Sequence, residues 1–200
     1  MRWDSLFDDL ESQLEHELHA EELDRRAEEH RLRIGRLTLR DRLQTFAGND
    51  GRRCEVTLEL VTGAVVTVLP QTFGRDWMSA DLVSRDGASG ACIVPIDAVG
   101  GVILPKSRLS RSLDVPPRDE QAPRLADRIG LPFVLRDLCR RRVYVELHAR
   151  SREVVHGGTL DRVAGDHVDL AVHERGAPRR ERNVSHHRLV PIGDIGLIVL

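Results

Sequence analysis

Two stretches of this chain read as one unit written twice, and that repetition limits the fold more than any other feature of the sequence. Arg33-Ile34-Gly35 followed by Leu39-Arg40-Asp41 returns as Arg128-Ile129-Gly130 followed by Leu135-Arg136-Asp137. Val56-Thr57-Leu58-Glu59-Leu60 answers to Val143-Tyr144-Val145-Glu146-Leu147, Val94-Pro95-Ile96 to Val190-Pro191-Ile192, and Val99 to Leu104 to Ile195 to Leu200. Counted from Thr38 to Leu104 and from Val134 to Leu200, both units are 67 residues long. Units of that size bury only modest cores, so the two are expected to pack together.

Within each unit the pattern is a short helix followed by about five short strands. The first unit has a helix from about Leu39 to Phe46, then alternation at Val56, Leu58 and Leu60, a Thr62-Gly63 turn, and a strand over Val65 to Leu69. Met78, Ala80 and Leu82 alternate next, and strands follow at Ala91 to Ile96 and Val102 to Leu104. The second unit repeats the plan with a helix over Val134–Arg140 and strands over 143–147, 154–163, 168–172, 184–192 and 197–199. This spacing suits a small barrel better than βαβ units. The apolar C-terminal strand is expected to be paired inside the sheet, because a free hydrophobic edge invites aggregation.

Residues 2–32 form an expected long helix, free of Pro and Gly and rich in Leu, Glu, Arg and Ala. Trp3, Leu6, Phe7, Leu10, Leu14 and Leu18 fall on one side of it, an amphipathic stripe. The expected organisation is an acidic helix (1–32), a first β unit (33–104), a linker (105–127) with four prolines between Pro105 and Arg124, and a second β unit (128–200).

Charge is segregated although the net is only −2. Residues 1–30 hold eleven Asp/Glu against Arg2, Arg25 and Arg26, a net of −8, and the remainder carries +6. No apolar run is long enough to span a membrane, and no signal peptide is read at the N-terminus. Cys54, Cys92 and Cys139 are odd in number and lack CxxC spacing, which points to free thiols and a cytoplasmic location. Lys106 is the only lysine among 30 basic residues, a bias in keeping with a GC-rich genome, so arginine counts carry reduced weight.

In the second unit, Gly158, Leu160, Val163, Gly165-Asp166, Val168 and Leu170 follow a short helix. That pattern resembles the first motif of Sm-like (Hfq-type) proteins, which implies a short helix capping a strongly bent five-stranded barrel. Gly158 then permits a bend or bulge in the second strand, and Gly165-Asp166 turns into the third. The resemblance covers roughly residues 128–200 and, by repetition, 36–104. The first unit departs from it: Val68 and Pro70 stand where Gly158 and Leu160 align, and only Asp76 survives of the Gly-Asp pair. Neither unit carries the residues with which Sm-like proteins hold uridine, so RNA binding is not implied residue by residue. As a whole the chain resembles actinobacterial proteins with an acidic Trp-containing helix ahead of a β-rich duplication. That resemblance implies a source and compartment, and no activity.

Candidate chemistry is sparse. His16-Glu17-Leu18-His19 places its histidines at i, i+3 and misses the i, i+4 spacing of zinc proteases. His186 and His187 are adjacent in a strand and point to opposite faces, while His156, His167 and His173 read as exposed strand residues. The glycine pairs at 100–101 and 157–158 lack phosphate-loop spacing. No local motif joins Cys or Ser to His and a carboxylate. No catalytic residue, metal ligand or cofactor is therefore expected. Arginines are the strongest signal: Arg140, Arg141 and Arg142 join helix to strand, and Arg179, Arg180 and Arg182 lie in a long loop after Pro178. Folded together, the six could bind phosphates, although only Tyr144 and Phe133 are near for base stacking. The expected protein is a non-enzymatic cytoplasmic adaptor. It engages another protein, or a second copy of itself, through the stripe and the barrel surfaces. The alternative is an RNA- or DNA-binding protein using the arginines. A membrane partner is not expected, because the helix's polar face is acidic.

Overall fold

The computed structural model describes residues 3–47, 53–83, 90–115, 125–151 and 154–200. Side chains of residues 3–13, 15, 17 and 20 lie outside the described residues. The chain forms two compact units, residues 1–38 and 39–200.

The first unit is α1 (Trp3–Gly35), three residues longer at its end than the sequence predicts. Its outer turns are braced by i, i+4 pairs, with Arg25 donating to Glu29 at 2.6 Å and Arg26 to Glu22 at 2.5 Å. Such exposed pairs each add only a few tenths of a kcal/mol, about 0.3–0.5. Leu14 and Leu18, the two stripe residues whose side chains are described, are 57% and 56% exposed. The side chains of Trp3, Leu6, Phe7 and Leu10 lie outside the described residues.

The second unit opens with α2 (Leu39–Gln44) and then β1 (Val56–Leu60), β2 (Val65–Phe73), β3 (Trp77–Leu82), β4 (Ala91–Pro95) and β5 (Val99–Ile103). A short α3 (Lys106–Leu109) and single 3-10 turns at Arg111–Leu113 and Leu125–Arg128 occupy the expected linker, of which residues 116–124 lie outside the described residues. Then come α4 (Leu131–Arg140), β6 (Tyr144–Ala149), β7 (Val155–Val163), β8 (His167–Val172), β9 (His186–Pro191) and β10 (Ile195–Val199). The strands form where apolar residues alternate: Val56, Leu58 and Leu60 are all buried while Glu59 is exposed. Gly63 closes the first hairpin at φ 85°, a conformation that favours glycine.

All pairings are antiparallel within one ten-stranded sheet, ordered β5-β1-β2-β3-β4-β10-β6-β7-β8-β9. The chain is mainly β with an N-terminal helix, as expected, and β10 lies inside the sheet between β4 and β6. Each half runs through its strands in the same internal order, and each has a bulge in its second strand, at Pro70/Thr72 and at Leu160/Arg162. The pairing register corrects one sequence alignment. Val56 opposes Val68 and Val145 opposes Gly158, while Leu58 opposes Val102 and Leu147 opposes Ile198. Val56 therefore corresponds to Val145, two residues beyond the Val143 with which the sequence aligns it. A two-residue slip keeps every side chain on its face, so hydrophobic alternation does not detect it.

Two cores result, and they interlock. Leu43, Phe46, Leu58, Val68 and Met78 centre the first, which also receives Leu197 and Val199 from β10. Leu135, Leu147, Leu160, Leu170 and Ile195 centre the second, which takes Trp77 and Ile93 from the first half. Polar ties hold the same seam: Trp77 Nε1 donates to the Ile129 carbonyl at 2.9 Å, and Asp76 Oδ1 accepts the Leu131 N–H at 2.8 Å. That last bond satisfies one of the donors exposed at the start of α4. No helix among the described residues is long and apolar enough to cross a membrane.

Candidate functional site

A cleft of about 960 Å³ opens on β7 and β8 in the second half, between the end of α4 and the loop around Pro178. Its organising residue is Asp161. The bulge in β7 leaves Asp161 without a partner on β8, because Leu160 opposes Leu170 and Arg162 opposes Asp169. Bulges re-aim a side chain out of the ladder. Here the freed carboxylate takes Arg179 in a two-point grip, Nε to Oδ1 at 2.9 Å and Nη2 to Oδ2 at 2.5 Å. Arg142 Nη1 donates to Oδ1 at 3.1 Å, and His187 Nε2 lies 3.4 Å from Oδ2. The Arg179 hydrogen bonds, with the nearby charges of Arg179, Arg142 and His187, hold the Asp161 carboxyl below the usual carboxylate range.

Arg142 reaches this carboxylate from an unusual backbone position. Helix α4 ends with Val143 N–H bonded to Leu138 O at 3.2 Å and Arg142 N–H to Cys139 O at 3.1 Å. This is the paired closure that normally places glycine in the left-handed region, and Arg142 occupies it at φ 55°.

The cleft's inner wall is a buried polar pair. Thr159 and His173 are 2% and 6% exposed, and Thr159 Oγ1 lies 2.8 Å from His173 Nε2. His173 Nδ1 faces the Glu174 carbonyl at 3.0 Å. A carbonyl only accepts, so Nδ1 carries the hydrogen, and in the neutral ring the threonine hydroxyl donates to Nε2. Tyr144 meets the same imidazole edge-on, with ring centroids 5.4 Å apart, and the Arg175 guanidinium lies 5.2 Å over the tyrosine ring. The tyrosine hydroxyl occupies the space where a Cβ on Gly157 would stand, 2.1 Å away.

The six arginines do not meet as one bare patch. Arg142 and Arg179 converge on Asp161. Arg140 and Arg141 are both turned onto Asp137, at 2.5 and 2.7 Å. Arg180 and Arg182 are exposed. Four of the six are thus matched by carboxylates, and the Tyr144 ring in the cleft already carries Arg175. His173, expected on an exposed face, is buried instead, because its two ring nitrogens find Thr159 and Glu174 O. Asp161 carries only a slight signal in the sequence: an acidic residue at the bulge where the first half has Gln71.

Chemically, the cleft offers charge pairs closed on each other and a hydroxyl engaged by an imidazole. No group of three or more His, Cys, Asp or Glu able to hold a metal occurs among the described residues. The three cysteines are not bonded to one another, and burial pushes the Cys92 thiol up to about 12. No family model, no curated protein and no solved structure matches this chain.

Proposed function

We propose that this chain is a non-enzymatic interaction protein of the cytoplasm. In this reading two copies of a small Sm-like β unit are fused edge to edge and carry an acidic amphipathic helix that binds another protein. The observation that carries it is the exposure of Leu14 and Leu18, more than half open on a helix that forms a compact unit of its own. Trp3, Leu6, Phe7 and Leu10 extend the same stripe in the sequence. Burying one large apolar side chain is worth about 1.5–3 kcal/mol, so a stripe of this kind is a docking face with i, i+3/i+4 anchors. Its acidic polar face selects a basic rim on the partner. The matching strand order and bulge positions support the duplication. The free thiols support a reducing compartment.

Nucleic-acid binding through Arg140, Arg141, Arg142, Arg179, Arg180 and Arg182 has less support, since four of these already face Asp137 or Asp161. The two readings separate by purifying the tagged full chain with and without nuclease, beside a Leu14→Asp/Leu18→Asp variant. A co-purifying protein that survives nuclease and is lost with the variant supports the helix reading. Nucleic acid retained by both forms, and released steeply by salt, replaces it.

A further inference from the structure

The two halves of the sheet serve as controls for each other, because matched registers fix which residues correspond. Val68 opposes Leu82 and Met78 opposes Val94 in the first half, as Gly158 opposes Val172 and Val168 opposes Val190 in the second. By that register the buried Thr159–His173 pair stands where the first half has Leu69 and Val83. Asp161 stands where it has Gln71, Asp169 where it has Ser79, and His187 where it has Ala91. The connection after the third strand also differs: seven residues separate Val83 from Ala91, and thirteen separate His173 from His187. The longer connection carries Pro178 and Arg179, which wall the cleft. The first half thus builds the same strands without these polar groups. Burying a hydroxyl and an imidazole costs free energy that their mutual hydrogen bond at best offsets. The fold therefore has no need of them, and their concentration around one cavity points to a ligand.

We propose that the cleft binds a small organic acid, a single carboxylate on an apolar body. Its volume of about 960 Å³ falls within the range of clefts that hold small molecules, about 300–1,000 Å³. Charge selects the sign of the ligand. The guanidiniums of Arg142, Arg162 and Arg179 line the cleft against the carboxylates of Asp161 and Asp169. Arg179 is spent, with Nε and Nη2 on Asp161 and Nη1 on Glu181. Arg142 gives Asp161 only Nη1, and its side chain is exposed, so its other N–H groups are open to a ligand. With His187 neutral the surplus is one positive charge, which matches one carboxylate held by a guanidinium. A polyanion such as a nucleic-acid backbone would bring further negative charge against Asp161 and Asp169. The left-handed backbone of Arg142 fits the same role, because strained conformations cluster where side chains clamp ligands. Leu189, exposed on β9, joins Ala177 and Pro178 as the apolar lining that takes the body of the acid.

Binding in the cleft is independent of the helix stripe. The probes are phenylacetate and hexanoate, titrated calorimetrically into the full chain beside phenylacetamide, phenethylamine and phenyl phosphate. The expected result is a dissociation constant of about 1 mM or below for at least one acid, with the amide, the amine and the phosphate each weaker by at least about tenfold. Tyr144 is the chain's one tyrosine and lines the cleft, so its ring resonances are expected to move as the acid saturates. Arg142→Gln is expected to weaken binding by at least about tenfold. Arg140→Gln, at a guanidinium turned onto Asp137, is expected to leave it unchanged, with circular dichroism checking the fold of both variants. Failure of both acids to bind at about 10 mM overturns the proposal. So does binding that leaves Tyr144 unmoved, that survives Arg142→Gln, or that the amide or the phosphate matches. If Arg142→Gln does not fold, the Tyr144 shifts and the amide comparison decide the matter on the wild type.

Discussion

Adjacent glycines in β7 offer a controlled test of how tightly the cleft's sheet is packed. A Cβ at Gly158 would stand 2.1 Å from the Ala171 carbonyl oxygen and 3.1 Å from the Val172 Cα, backbone atoms of β8. A Cβ at Gly157 would meet only the Tyr144 hydroxyl at 2.1 Å and its ring beyond. The same methyl group therefore meets a strand in one case and the tip of a side chain in the other. Gly158→Ala must push β7 off β8 beside Leu160 and Leu170, and overpacking of this kind costs about 3 kcal/mol or more. Gly157→Ala lets Tyr144 swing aside and gains about 0.4–1 kcal/mol from a less flexible unfolded chain. At about 2–4 °C per kcal/mol for a domain of this size, thermal unfolding followed by circular dichroism is expected to show a drop of about 6–12 °C for Gly158→Ala. Gly157→Ala is expected to fall within a few degrees of wild type. Because Tyr144 is the chain's one tyrosine, its ring resonances report its displacement in the second variant alone. Equal losses, or a larger loss for Gly157→Ala, refute the reasoning.

Asp161 has a carboxyl held below its ordinary range. Its contribution to stability is therefore complete above the unfolded carboxylate pKa and is lost as pH falls through the folded value. Asp161→Asn is expected to lower stability near neutrality by about 1.5–3 kcal/mol and to flatten the acid limb of a urea-unfolding series, and an unchanged limb contradicts the assignment. Burial lowers the His148 pKa, so the unfolded chain takes up the proton first, and stability is expected to fall as pH drops below the ordinary histidine value. A His148→Gln variant that keeps the full pH dependence between neutral and mildly acid conditions counts against that origin. Arg142→Gly is expected to fall within about 1 kcal/mol of wild type, because relief of the left-handed backbone offsets an exposed ion pair. Arg142→Val is expected to be clearly less stable, and equal denaturation midpoints would remove the backbone argument. Timed alkylation of the folded protein is expected to label Cys54 and Cys139 before Cys92, whose thiol is buried and pushed up to about 12; early labelling of Cys92 is the contrary result.

Alternation and punctuation in the sequence located every strand of the sheet to within a few residues, because faces that differ in burial impose a period of two. Register was not legible for the same reason, which is why Val56 aligned with Val143 although it corresponds to Val145. The sequence pattern places a bend or bulge at Gly158. The bulge lies at Asp161, and Gly158 is required instead by the close approach of the Ala171 carbonyl. The seam between the cores was hidden, since the buried pattern of β10 does not say that Leu197 and Ile198 serve different cores. The cleft was legible only in part: Arg142 and Arg179 belonged to the expected cluster, but the carboxylate that unites them sits in another strand and has no motif of its own.

The shared seam also bears on how the chain can be made. Synthesis proceeds from the N-terminal end, so β4 is laid down long before β10, the strand that covers its open side. Until then the first half lacks Leu197 and Val199 from its core, and Ile93 has no Ile198 to face. Apolar surface and an unpaired strand edge must wait through the production of the whole second half. Such waiting states attract chaperones and aggregate when crowded. Completion depends on contacts between residues far apart in the chain, which form slowly. Expression at low temperature, or with chaperones in excess, is the condition under which more of this protein would reach its finished form.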